Sequence, residues 1–152
     1  MTPARYCLDT NVLVLAHMPN VAGHAAVNPF LASLARRDNT HLAVTPLVLH
    51  ELVHVITDAR RFEPPVDMSE AIALARSYLG RTNVDCLDVT EEAMALALDL
   101  LDRHRPGRKR IADALLTATC LVHGVTALVT CNPEDFSQFA DLTLLDPRVH
   151  QA

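Results

Sequence analysis

Short apolar runs rich in β-branched residues alternate along this chain with longer stretches whose apolar residues recur at helical spacing. That alternation predicts a parallel α/β sheet, because each parallel strand needs a crossover, usually helical, before the next. Strands are expected near residues 5–8, 41–44, 84–87, 127–129 and 142–145. Helices are expected near residues 11–17, 25–37, 46–59, 68–80, 91–104 and 111–123. Local chemistry supports several ends. Thr45-Pro46 offers a capping hydroxyl and then a Pro at the first helical position. Thr90 precedes Glu91-Glu92, acids that favour the positive end of a helix. Gly80 and Gly124 suit helix C-termini. Glu63-Pro64-Pro65-Val66 reads as a rigid turn between helices, and no repeat or low-complexity segment intervenes, so residues 1–152 read as one domain.

Four acids break this pattern by sitting beside or inside apolar runs. Asp9 follows Tyr6-Cys7-Leu8, and Glu51 lies within Leu47-Val48-Leu49-His50-Glu51-Leu52-Val53. Asp113 lies within Ile111-Ala112-Asp113-Ala114-Leu115, and Asp135 follows Leu128-Val129-Thr130-Cys131-Asn132-Pro133-Glu134. An ionised carboxylate drawn into apolar surroundings is costly unless a cation or hydrogen bonds compensate it. Several in one small chain suggest a shared cation, and carboxylate oxygens suit Mg²⁺ or Mn²⁺. Simpler roles exist for each. Asp9 could cap the following helix, Asp113 could complement a helix dipole and Asp135 could begin a turn. Glu51, expected on a broadly buried helix, could reach solvent or pair with an Arg. On the predicted topology Asp9 and Asp135 follow the carboxyl ends of strands, where open α/β sheets bind ligands.

Taken in order, four motifs carry a family resemblance over nearly the whole chain. They are Leu8-Asp9-Thr10-Asn11-Val12-Leu13, Thr45 through Glu51-Leu52, Asp113-Ala114-Leu115-Leu116-Thr117-Ala118-Thr119, and Leu128-Val129-Thr130-Cys131-Asn132-Pro133-Glu134-Asp135-Phe136. With these the sequence resembles the PIN-domain ribonucleases, most closely the VapC-type toxins of bacterial toxin–antitoxin pairs. The resemblance implies a three-layer α/β/α sandwich on a mostly parallel, roughly five-stranded sheet. It also implies a metal-dependent endoribonuclease in which Asp9, Glu51, Asp113 and Asp135 hold one or two Mg²⁺ or Mn²⁺ ions. Water would then attack a phosphodiester of RNA, leaving 5′-phosphate and 3′-hydroxyl ends. Asn11, Thr45, Thr130 and Asn132 would support the ligands or orient the substrate. A homodimer and a small antitoxin protein that covers the acidic groove are implied as well. Two departures stand out: Cys131 where many relatives carry a basic residue, and a somewhat long stretch from His17 to Asn39. A catalytically silent module binding RNA or a protein is the alternative within the same fold, and retention of all four acids argues against it.

His50-Glu51-Leu52-Val53-His54 is also a literal H-E-x-x-H, the zinc-protease pattern of two helical His and a general base. A zinc-dependent hydrolase is therefore a second reading. The extended motif needs a Gly and a third His, and this chain has Thr57 and Arg60 there; Glu70 is a conceivable third ligand that nothing singles out. His50 and His54 share a helical face with Thr57, Asp58 and Arg61, which reads as a solvated polar stripe. Gly-rich phosphate loops and Ser nucleophile elbows are absent from the sequence.

Composition changes this picture little. Half the residues are hydrophobic and 4% aromatic, so the expected core is Leu, Val, Ala and Ile. Cys7, Cys86, Cys120 and Cys131 show no CxxC pairing and fall in apolar runs, which predicts small hydrophobes in a reducing cytoplasm. Met1-Thr2-Pro3-Ala4-Arg5 leads straight into a strand, so no secretory leader and no membrane span are expected. The formal net charge is −5, and setting the four site acids aside leaves −1, so overall charge neither favours nor forbids RNA. Its distribution says more. Five of the thirteen Lys and Arg residues fall at Arg103, Arg105, Arg108, Lys109 and Arg110, just ahead of Asp113. Arg108, Lys109 and Arg110 are expected to form a rim that contacts RNA phosphates; otherwise they are a solvated loop complementing the preceding helix.

Overall fold

The computed structural model describes residues 1–139 and 142–150. Five strands, β1 (Ala4–Leu8), β2 (Thr40–Val44), β3 (Val84–Cys86), β4 (Ala127–Val129) and β5 (Leu144–Leu145), form one sheet in the order β3-β2-β1-β4-β5. Every pairing is parallel. Among the described residues six helices lie between them: α1 (Thr10–His17), α2 (His24–Ala35), α3 (Pro46–Ile56), α4 (Met68–Leu79), α5 (Glu91–His104) and α6 (Ile111–Val122). Short 3₁₀ turns span Arg108–Arg110 and Pro133–Asp135.

Successive residues of a strand point to opposite faces of its sheet. Cys7 and Leu8, Ala43 and Val44, and Leu128 and Val129 are all fully buried, so both faces of the sheet are covered. The α1, α2, α3 and α4 helices pack among themselves, and α5 packs on α6. The result is the expected three-layer sandwich. A large core joins the sheet to α1–α4, and a smaller apolar cluster of Ala97, Leu100, Ala114, Ala118 and Phe139 lies between α5 and α6.

Several predicted ends hold for the predicted reasons. The Thr45 hydroxyl accepts from Val48 N at 3.2 Å and Pro46 opens α3. Thr90 accepts from Ala93 N at 3.1 Å at the start of α5. Gly124 follows α6 at φ +61°, a conformation that favours Gly. Others shift. The α3 helix stops at Ile56, because the Thr57 hydroxyl donates back to Val53 O at 2.7 Å and Asp58 accepts from Arg60 N at 2.9 Å, turning the chain away. Cys86 is exposed at the end of β3, whereas Cys7, Cys120 and Cys131 are buried, so the reading of the cysteines as small packed hydrophobes fails at one position. No helix among the described residues is long and apolar enough to cross a membrane.

Sheet order positions the site. From β1 the chain runs to β2 and β3 on one side, then returns through α5 and α6 to place β4 on the other side of β1. The carboxyl ends of β1 and β4 are thus a switch point, where neighbouring loops diverge and leave a crevice. Leu8 pairs with Val129, so Asp9 and Thr130 leave the sheet side by side.

Candidate active site

Asp9 is the first residue past β1 and caps α1, its Oδ1 accepting from Thr10 N at 2.8 Å. Its Oδ2 accepts from the Thr130 hydroxyl at 2.8 Å. One residue therefore caps α1 and lines the cleft. Glu51 projects from α3, where its Oε2 accepts from the Thr10 hydroxyl at 2.8 Å. Asp113 lies in the first turn of α6, and Asp135 ends the 3₁₀ turn after β4. All four line one cleft of about 490 Å³, which Thr10, Asn11, Asn132, Lys109 and Arg110 also line. The convergence that topology and the family resemblance together implied is present. One detail differs: Glu51 is exposed, because α3 turns Val48, Leu49, Leu52, Val55 and Ile56 inward and leaves Glu51 at the open mouth.

The electrostatics follow from this burial. Loss of solvent pushes the Asp9 carboxyl up to about 6, against the lowering effect of the Thr130 and Thr10 donors; the nearby Asp113 and Glu51 charges add to the rise. Asp113 is also raised, first by burial, with Arg110 opposing. Arg110 Nη1 lies 3.2 Å from Asp113 Oδ2, and Arg110 Nη2 lies 2.8 Å from Asp135 Oδ1. Neither sequence expectation for the basic stretch anticipated this. Arg110 faces the acids, Lys109 is exposed at the cleft, and Arg108 is exposed and outside its lining.

The supporting residues form a short network across the β1 and β4 ends. Asn11 Oδ1 accepts from Cys131 N at 3.1 Å, and Asn11 Nδ2 reaches Thr130 Oγ1 at 3.5 Å. Thr130 is fully buried and accepts from Asn132 N at 3.1 Å while donating to Asp9. Asn132 is exposed at the cleft. Thr45 is committed to capping α3, and it borders a crevice of about 40 Å³ that Asp9, Glu51 and Asp113 also line. Two residues were missed from sequence. Thr10 joins Asp9 to Glu51, and its place inside the first motif was an available signal. Arg148 lines the cleft, pairs with Asp146 at 2.8 Å and donates to the Cys131 carbonyl. A cation thus stands beside Cys131 in space, and nothing local in the sequence marks it. His50 and His54 are exposed and outside the lining of this cleft, as a solvated stripe would be.

In kind, these donors fit a hard divalent cation: carboxylate oxygens that converge, one of them strongly desolvated and held by neutral donors rather than by a protein cation. In arrangement they are not gathered into a cage. Among the described residues no three Asp, Glu, His or Cys side chains stand close enough together to hold an ion.

The PIN domain family model matches residues 6–142. Among curated relatives, Ribonuclease VapC33 of Mycobacterium tuberculosis is 27% identical over 139 residues, 91% of this chain and 95% of the relative. Among solved structures, VapBC2 from Rickettsia felis, bound to a DNA fragment from its promoter, superposes with a TM-score of 0.67 at 20% identity, covering 92% of this chain and 96% of the other. A toxin-antitoxin complex from Klebsiella pneumoniae gives a TM-score of 0.61 at 15% identity over 93% and 97%. At these identities the structural matches establish the fold alone.

Proposed function

The chain belongs to the PIN-domain family, and from that membership we propose that it is a divalent-metal-dependent endoribonuclease, the toxin of a type II toxin–antitoxin pair. The observation that carries the reading is the convergence of Asp9, Glu51, Asp113 and Asp135 on one cleft at the β1/β4 switch point. The name of the VapC33 relative, a ribonuclease, supports the substrate class, and the Klebsiella pneumoniae fold neighbour supports the pairing with a small antitoxin protein. The active form is proposed to be a homodimer.

Bound Mg²⁺ or Mn²⁺ would make a coordinated water more acidic than bulk water and would place positive charge against the leaving oxygen. This chain's residues do the positioning. Asp9 is fixed through both oxygens, one by the Thr10 amide and one by the Thr130 hydroxyl, so its lone pairs have one orientation toward the cleft. Thr10 then ties Glu51 to the same point through its own hydroxyl. Asn11 holds the backbone after β4 by accepting from Cys131 N, which sets where Asn132 and Asp135 leave the sheet. Lys109, Arg61 and Arg148 line the cleft with the acids, so an RNA backbone entering it meets cations at the rim.

The test is cleavage of a labelled structured RNA with Mg²⁺, with Mn²⁺ and with excess EDTA, using Asp9→Asn and Asp113→Asn as controls. Cleavage should need the metal and vanish in both variants. Full activity in EDTA would refute the reading.

A further inference from the structure

The four proposed ligands are held in two different ways. Asp9 and Glu51 accept from neutral donors, the Thr10 amide, the Thr130 hydroxyl and the Thr10 hydroxyl. Asp113 and Asp135 are held by a permanent charge, with the Arg110 fork divided between them at 3.2 Å and 2.8 Å. An Arg and an Asp three residues apart at a helix start often meet, and such a pair by itself means little. That spacing does not account for the second contact, because Asp135 comes from the turn after β4, on the far side of α6 in the chain. Neither does mere proximity of cations: Lys109 lines the same cleft, yet it makes no ion pair among the described residues. The Arg110 side chain is only 33% exposed and that of Asp135 22%, so the charges meet with less screening than a fully solvated pair. While it stands there, one oxygen of each acid is engaged, and the two carboxylates are spaced by the width of the fork.

Resting on the metal-dependent reading above, we infer that Arg110 is a built-in counter-ion which competes with the divalent cation for Asp113 and Asp135, and so sets the affinity of the site for metal. Without metal it neutralises the repulsion between the two acids and steadies the α6 start against the turn after β4. When a dication binds, the two positive charges disfavour one another, and Arg110 releases its acids. Arg110 is thus a positioning residue whose contribution changes sign between the metal-free and metal-bound protein.

Titration calorimetry of metal-free protein with MnCl₂ tests this in wild type, Arg110→Gln, Arg110→Lys and Asp9→Asn, with thermal melts of each with and without Mn²⁺. Arg110→Gln should bind Mn²⁺ about tenfold more tightly, since a neighbouring like charge is gone. Its metal-free melt should fall while its Mn²⁺-bound melt stays near that of wild type. Arg110→Lys keeps the charge but cannot span both carboxylates, so its gain should be smaller. If Arg110→Gln does not fold, tighter Mn²⁺ binding by Arg110→Lys supports the same role. Equal or weaker Mn²⁺ affinity in the folded variants overturns the counter-ion role. A wild-type protein that binds no Mn²⁺, or an Asp9→Asn protein that binds it as well as wild type, overturns the metal reading instead, so the two failures are told apart.

Discussion

Thr130 donates its hydroxyl to Asp9 Oδ2 at 2.8 Å, joining the ends of two adjacent strands that are 121 residues apart in the chain. The bond exists because β4 returns beside β1 in register, Leu8 opposite Val129, so the next residue of each strand meets its neighbour. It couples the sheet to the most desolvated acid of the site.

Thr130→Val keeps the volume of the side chain and removes that donor. In metal-free protein the Asp9 carboxyl should then titrate above its present value of about 6, since a lowering contribution is lost. The Asn132 amide also loses its acceptor, at a cost of about 1 kcal/mol of stability. Carboxyl-carbon NMR titration reads the first effect and urea unfolding the second. An Asp9 titration that does not move would show that the contact does not bear on its charge.

Asp9→Asn should be neutral to stabilising at pH 7.5 without metal, while abolishing cleavage. The folded carboxyl sits at about 6 against an ordinary 3.8, so the fold favours the protonated form. Its contribution is full below the ordinary value and is lost as pH rises through the folded one, leaving a charged, desolvated Asp9 at pH 7.5. Two units correspond to at most about 3 kcal/mol. The gain will be smaller, because Asn offers one carbonyl oxygen where Asp9 satisfies two donors. Denaturation in EDTA at pH 7.5 and pH 3.5 checks the sign, with the difference shrinking at the lower pH. A variant clearly less stable than wild type at pH 7.5 would contradict it.

His50→Ala and His54→Ala should leave metal-dependent cleavage within a few-fold of wild type. Both side chains are exposed and stand outside the cleft that Glu51 lines. Tight stoichiometric zinc that disappears on either substitution would restore the H-E-x-x-H reading.

Lys109→Ala should weaken RNA binding and reduce the magnitude of its log–log salt slope by about 0.7, the value for one phosphate contact on a single strand. Arg108→Ala should change the slope little, because Arg108 lies outside the cleft lining. Binding isotherms of a catalytically dead background at several salt concentrations make the comparison. Equal effects from the two variants would mean a diffuse basic loop rather than a defined rim.

Each described strand and helix was legible near its observed place in the sequence, because its pattern depends on neighbours a few residues away. Thr45-Pro46 and Thr90 start helices with their own hydroxyls, and alternating apolar runs recruit a parallel sheet whatever the partner strand. Where α3 ends was misjudged, since Thr57 and Asp58 offered the backbone local hydrogen bonds that compete with another helical turn. The four acids that line the cleft were conspicuous in the sequence too, because a carboxylate among apolar residues stands out in one dimension. Their surroundings were not. Arg110 looked like one cation in a basic run, and only the packing of α6 against the turn after β4 brings Asp113 and Asp135 to the two arms of its guanidinium. Arg148 meets the Cys131 carbonyl, and Glu51 stands open to solvent, for the same kind of reason. Periodicity and capping act through the local backbone. Which charges meet is decided by where the strands lie in the sheet, and here the placing of β4 beside β1 is what brings the four acids to one cleft.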